Sequence, residues 1–139
     1  MINEKSFKKK SLSEATKILK KIVYEAHQNS IHKNTGSRLK SMFGLQKTSI
    51  GMFLESLLQG YKKSVSKKDY NSEVEELVHL MNKRQDIWDN YQKGGDYPAT
   101  FSYVGILMLE SMTGKKSDKK IKDAAAKEMI EEIQYSGLD

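Results

Sequence analysis

The chain has 139 residues, of which 37% are apolar and 30% are charged, and its formal net charge is +6. A chain of this length fits one domain with a single core, and the mixture of both charge signs argues against global disorder. The absence of cysteine excludes disulfides, thiolate metal sites and cysteine nucleophiles. No apolar segment follows the N-terminal lysines, and the longest apolar run, residues 101–109, is too short to cross a bilayer. We therefore expect a cytoplasmic protein with no membrane partner.

Charge is divided unequally between the two halves of the chain. Residues 1–68 hold fifteen Lys and Arg against four acidic residues, a balance of +11, whereas residues 69–139 hold nine against fourteen, a balance of −5. This division indicates that the halves face different partners and that the basic half suits a polyanion. The alternative is that a lysine-rich composition carries no functional meaning.

The first part of the chain is predicted to form a flexible basic arm and one long amphipathic helix. The arm covers residues 1–10. Ser11 and Glu14 have the spacing of a capping box, in which each side chain satisfies a backbone amide of the first helical turn. Apolar residues then recur at helical spacing over residues 12–29, and the turn formers of residues 29–36 are expected to end the helix.

The rest of the basic half is predicted to form a short helix over 37–43 and a longer one over 47–65. The acidic half is predicted to form three more helices. These three are expected at 72–92, opened by a capping box at Ser72 and Glu75, at 99–112 after a glycine-rich turn, and at 117–135 with Ser117 as cap. Residues 101–109 also fit a strand, because short apolar runs are ambiguous. The pattern predicts an all-α protein: a compact orthogonal bundle of five to six helices, forming one domain over 11–135 with a basic half at 11–68, an acidic half at 69–135 and a tail at 136–139.

A segment of the basic half, residues 36–55, resembles a helix-turn-helix, in which a tight turn holds two helices at a steep angle. Gly44 supplies the turn, and apolar residues occupy the inner positions: Leu39, Phe43, Leu45, Ile50 and Phe53. Four residues of the second helix would then face outward, where they can contact base edges or phosphates: Gln46, Lys47, Thr48 and Met52. An ordinary αα-corner of a helical bundle produces the same spacing, so that alternative stays open.

Basic residues on both sides of this motif complete the predicted DNA-binding set, which comprises Lys33, Arg38, Lys40, Gln46, Lys47, Thr48, Met52, Lys62 and Lys63. A lysine that neutralises a phosphate releases condensed counterions, so the predicted binding weakens steeply with salt. A solvated helix face would account for the same lysines without any function.

No catalytic or metal-binding pattern is recognisable in the sequence. The three histidines, His27, His32 and His79, lack the spacing of a zinc site, and no phosphate-binding or hydrolase motif is present. We therefore predict no catalytic residues, no metal and no cofactor. Aromatic residues are concentrated around residues 88–103, namely Trp88, Tyr91, Tyr97, Phe101 and Tyr103, and this cluster suits core packing, a ligand pocket or a protein contact.

The sequence supports two functional hypotheses of different classes. The first is a non-enzymatic DNA-binding protein, such as a regulator or an accessory factor of a plasmid or phage, that contacts double-stranded DNA through residues 37–58 and forms a homodimer. The second is a helical protein-interaction module, an inhibitor or adaptor from a mobile element, whose protein partner contacts the aromatic cluster near Trp88 or the acidic C-terminal helix. A helical sensor that binds an apolar ligand in its core is a third alternative.

Overall fold

The structure, a computed structural model, describes residues 9–42, 49–84, 86–88 and 97–135, with side chains at 9–30, 50–84, 86–88 and 97–134. Five helices occupy these ranges: α1 (Leu12–Met42), α2 (Ser49–Ser64), α3 (Ser72–Lys83), α4 (Ala99–Thr113) and α5 (Lys119–Tyr135). A short helical segment follows α3 at residues 86–88, and the described ranges contain no strand. The predicted all-α bundle is confirmed, and residues 101–109 are helical within α4.

α1 is longer than the sequence predicts. The turn expected at residues 29–36 is wrong, since α1 continues through it to Met42 and includes most of the segment predicted as a separate helix over 37–43. Polar residues and glycine each weaken a helix by about 1 kcal/mol or less, so they stop a helix only when nothing else supports it. Here Ala26 and Ser30 are both buried, and this burial supports the helix into the segment where the turn was expected.

The caps of three helices show how closely local sequence signals place a helix start. Ser11 Oγ accepts a hydrogen bond from the amide of Glu14 at 3.2 Å, as predicted for α1. The other two caps lie one residue away from their predicted positions. α3 is capped by Asn71, which accepts from the amide of Glu73, and α5 begins after Asp118, which accepts from the amide of Lys120. α3 also ends earlier than expected, at Lys83.

α2 packs antiparallel to α1. Its core-facing side chains are Ile50, Phe53, Leu54, Leu57, Leu58 and Tyr61, and Met52 is buried outside that cluster. Gly60 lies against Ile22 so closely that a Cβ there would be 2.8 Å from Ile22 Cγ2. At the other end of the contact, the rings of His27 and Phe53 are 4.6 Å apart. The described parts of the two helices therefore lie side by side over several turns.

α4 runs alongside α2 in the same direction. The rings of Phe53 and Phe101 stack at 5.9 Å near the helix starts, and the hydroxyls of Tyr61 and Ser111 are 2.7 Å apart near the helix ends. Tyr61 also accepts a hydrogen bond from the amide of Asn71, at the start of α3. This buried tyrosine therefore connects α2, α3 and α4 at one end of the bundle.

α5 packs antiparallel to α4 and caps its first turn. α4 begins after Pro98, which offers no side-chain cap. Glu132, near the end of α5, instead accepts hydrogen bonds from the amides of Ala99 at 2.7 Å and Thr100 at 3.1 Å. Because the first amides of a helix have no intrahelical partner, this carboxylate stabilises the start of α4.

Candidate nucleic-acid interface

The predicted DNA-binding residues do not form one surface in the described part of the chain. Met52 lies near the start of α2, whereas Lys62 and Lys63 lie near its end, about 15 Å away along the helix axis. The other members lie where no side chain is described: Lys33, Arg38 and Lys40 on the last turns of α1, and Gln46, Lys47 and Thr48 before α2.

The prediction that Met52 faces outward is wrong. Met52 is only 4% exposed, although it lies outside the cluster of buried residues that α2 contributes to the core. A buried methionine cannot reach a base edge. Glu55 and Gln59, which follow Met52 on the same side of α2, are exposed, so the outward-facing side is retained there and is lost only at residue 52.

The corner of the predicted helix-turn-helix, residues 43–48, lies outside the described residues. The helices on its two sides are α1 and α2, which pack antiparallel. That arrangement is typical of an αα-hairpin, whereas a helix-turn-helix holds its helices at a steep angle. The described geometry thus resembles an αα-hairpin of a helical bundle rather than a helix-turn-helix.

Lysines from four separate segments, all exposed except the half-buried Lys10, lie at the opposite end of α2, which we call the lysine end. It comprises Lys9, Lys10, Lys62, Lys63, Lys67, Lys68, Lys115 and Lys116. The amide of Lys10 donates to the carbonyl of Met112 at 3.0 Å, and its Nζ donates to the carbonyl of Ser64 at 3.2 Å. The side chain of Lys9 lies against Gly114. Residues 9 and 10, predicted as part of a flexible arm, therefore connect the ends of α2 and α4.

Two of the acidic residues at the lysine end are already engaged by lysine. Lys9 forms an ion pair with Asp69 and, with Ser66, holds the pKa of that carboxyl below its usual value. Lys62 contacts Glu75 at 2.9 Å, and the hydrogen bonds from Lys62 and Tyr70 lower the pKa of Glu75. Both acids thus stay ionised and paired. Lys63, Lys67 and Lys68 are exposed, and none of them belongs to the ion pairs of the described residues, although the charge of Lys68 also acts on Asp69. Positive charge is therefore left in excess.

A cavity of about 310 Å³ opens within the lysine end and is lined by Lys62, Val65, Ser66, Lys67 and Tyr70. The ammonium group of Lys62 lies 5.8 Å from the centre of the Tyr70 ring. The hydroxyl of Tyr70 donates to Glu75 at 2.8 Å, and burial is the main cause that raises the pKa of this tyrosine.

Aromatic side chains gather at the opposite end, which we call the aromatic end. Tyr97 stacks on Phe101 at 4.5 Å, and Trp88 packs edge-on against Phe53 and Phe101 at 6.0 and 6.1 Å. His27 joins the cluster through ring contacts and a hydrogen bond to the Tyr97 hydroxyl. Trp88 Nε1 is buried without a hydrogen-bond partner in the described part of the chain.

The aromatic end differs in membership from the cluster predicted around residues 88–103. Tyr91 lies outside the described residues, and Tyr103 is buried but has no ring contact with the other aromatic side chains in the described part of the chain. His27 and Phe53 were missed as members, because they come from α1 and α2 and no local pattern links them to Trp88. The available signals were the position of Phe53 within the apolar stripe of α2 and that of His27 next to the apolar stripe of α1.

Comparisons with protein families, with curated proteins and with solved structures find no match for this chain. Within the described ranges, no three metal-ligating side chains come together. None of the helices searched there combines the length and apolar character needed to cross a bilayer.

Proposed function

We propose that this chain is a non-enzymatic DNA-binding protein that contacts the phosphate backbone through the lysine end. The observation that carries the proposal is the convergence of lysines from four segments around two acids that are already paired. Clustered lysines neutralise successive phosphates and release their counterions, which supplies most of non-specific affinity. The proposal places the protein in the cytoplasm as a regulator or an accessory factor of a plasmid or phage.

A fluorescence-anisotropy titration against random duplex DNA at two salt concentrations tests this proposal. If about four phosphates are neutralised, affinity falls about 100-fold between 50 and 200 mM salt. The absence of any complex at the lower salt concentration would refute DNA binding by this protein.

The contribution of the lysine end is tested by a matched pair of charge reversals. Lys63→Glu with Lys68→Glu removes two of its exposed charges, and Lys83→Glu with Lys127→Glu makes the same change at exposed positions elsewhere. We expect the first pair to weaken duplex binding at least about tenfold and the second by less than about threefold. A charge that contacts a phosphate contributes more to affinity than a charge elsewhere on the surface, which salt screens. Equal losses from both pairs would show that binding depends on net charge alone.

A second candidate function, protein interaction, is favoured by the exposed part of the aromatic end. Tyr97 is 43% exposed, yet its ring is held by stacking on Phe101 and by the hydrogen bond with His27. A rigid, partly exposed tyrosine is typical of residues that dominate protein interfaces.

Co-purification from the native host separates the two functions. DNA binding predicts retained nucleic acid that is lost in the Lys63→Glu, Lys68→Glu variant. Protein interaction predicts a stoichiometric protein that is lost with Tyr97→Ser and kept with Tyr24→Ser, a control at a tyrosine that is 63% exposed on α1. A protein that co-purifies equally with both tyrosine variants would exclude the aromatic end as its contact.

A further inference from the structure

We propose that the cavity at the lysine end binds a small organic anion with an apolar body, independently of DNA. The anionic group would lie between Lys62 and Lys67, and the apolar body would contact Val65 and the ring of Tyr70. The volume of about 310 Å³ suits a molecule of one or two rings or a short alkyl chain.

The walls of this cavity are held in place without a ligand. The ring of Tyr70 packs against Tyr61 at 5.4 Å, and Tyr61 is buried completely. Ser66 donates to Asp69 at 2.9 Å, which ties down the connection between α2 and α3. A site that exists before binding loses little conformational entropy when a ligand arrives, so even a small ligand can bind.

The charge inside the cavity favours an anion over a cation or a neutral molecule. Glu75, the acid nearest to Lys62, is already shared by Lys62 and the Tyr70 hydroxyl. Lys67 is exposed and belongs to none of the ion pairs of the described residues. The carbonyl of Ser64, at the end of α2, accepts from Lys10, which offsets the negative end of the helix dipole.

The apolar part of the cavity favours a ligand that carries an apolar group in addition to its negative charge. Val65 and Tyr70 are both partly exposed there, although each also packs against the core. A purely inorganic anion would leave that surface in contact with water, whereas an aromatic or alkyl group would cover it. Inorganic phosphate is therefore expected to bind more weakly than an aromatic sulfonate.

The test is a fluorescence titration of the full chain with 1-anilinonaphthalene-8-sulfonate, an aromatic anion, compared with neutral N-phenyl-1-naphthylamine. We expect the anion to bind at one site. The neutral analogue should bind at least about fivefold more weakly, because it lacks the charge that contacts the lysines. Saturation at several sites, or equal binding of both probes, would overturn the proposal.

Three single substitutions locate the site. Lys67→Glu and Val65→Thr should each reduce the affinity for the anion about fivefold or more, since the first reverses a lining charge and the second replaces an apolar wall with a near-isosteric polar one. Lys63→Glu makes the same charge change at an exposed lysine outside the cavity and should alter affinity less than about twofold. Equal effects of Lys63→Glu and Lys67→Glu would overturn the assignment.

NMR of the unsubstituted protein tests the same site without depending on whether a variant folds. The anion should shift the methyl signals of Val65 and the ring signals of Tyr70, whereas shifts confined to other residues would exclude this cavity. The Lys63→Glu, Lys68→Glu protein should lose DNA affinity and keep the anion site. Failure of DNA binding and failure of the cavity proposal are therefore distinguishable.

Discussion

Glu132 shows how one side chain can define the start of a distant helix. Its side chain is buried, and each carboxylate oxygen accepts an amide hydrogen bond from the first turn of α4. Thr100 Oγ1 donates a third hydrogen bond at 2.9 Å. A carboxylate in this position satisfies orphan amides and also complements the positive end of the helix dipole.

We expect Glu132→Ala to lower the free energy of unfolding by about 2 kcal/mol, because two amides and a hydroxyl lose their acceptor at a buried helix start. Glu131→Ala is the matched control, since Glu131 is the exposed neighbour on the same helix. Urea unfolding of both variants measures the difference. A loss for Glu132→Ala no larger than that of the control would contradict the role of Glu132 as a cap.

A second acidic residue of the same helix pair links stability to pH. Burial acts to raise the pKa of Glu110, but hydrogen bonds from Lys122 and from the amide of Ser117 outweigh it and lower the pKa below its usual value. A carboxyl whose pKa is lower in the folded state stabilises the fold above its unfolded pKa. That contribution is lost as the pH falls through the folded pKa.

Lys122→Met should therefore reduce the free energy of unfolding at pH 7 by about 1 kcal/mol, because Glu110 loses its partly buried cation. The difference from the unsubstituted protein should shrink toward pH 3, where Glu110 is increasingly protonated in both. Urea titrations at the two pH values measure this. A difference that stays constant with pH would mean that packing of the Lys122 side chain, and not its charge, is responsible.

At the scale of elements, two helical glycines have opposite surroundings. Gly60 of α2 faces α1, and a Cβ there would meet Ile22 Cγ2 at 2.8 Å, whereas a Cβ at Gly105 of α4 would meet nothing within 4 Å. Glycine weakens any helix through backbone entropy. Its presence at Gly60 is explained by the close approach of two helices, but nothing in the structure explains it at Gly105.

Alanine at these two positions should have effects of opposite sign. Gly60→Ala is expected to lower the free energy of unfolding by about 1 kcal/mol, since overpacking against the buried Ile22 outweighs the gain in helix propensity. Gly105→Ala should raise it by up to about 1 kcal/mol. Thermal and urea unfolding of the two variants measure both changes. Stabilisation by Gly60→Ala would show that α1 and α2 have room to separate.

At the scale of the whole molecule, the fold brings together lysines that lie far apart along the chain. The sequence divides into a basic half and an acidic half. Lys115 and Lys116 belong to the acidic half, yet they follow Gly114, which lies against Lys9 of the basic half. The contacts of Lys9 and Lys10 with the ends of α2 and α4 bring lysines of both halves together.

Reversing the charge of Lys115 and Lys116 should therefore weaken duplex DNA binding about as much as reversing Lys63 and Lys68, by roughly tenfold, if the lysine end acts as one surface. Anisotropy titrations at a single low salt concentration compare the two double variants. Unchanged binding after the substitutions at 115 and 116 would restrict the interface to the basic half.

Local patterns predicted most of the secondary structure because their causes are local. The spacing of apolar residues sets the helical faces of α2 and α3, and Ser11 caps α1 through its own neighbours. The candidate sites were harder to predict from local patterns. The aromatic end needs His27 and Phe53 from two other helices, and the lysine end needs contacts between residues more than fifty positions apart.

The amino-acid sequence by itself determined the helical class, the approximate positions of the helices and the excess of positive charge, since each depends on composition or on interactions within a few residues. Only the tertiary structure decided that α1 extends past residue 36, that Met52 is buried and that lysines of both halves meet. These features depend on which helix faces cover one another, and that choice is made by long-range burial of apolar surface.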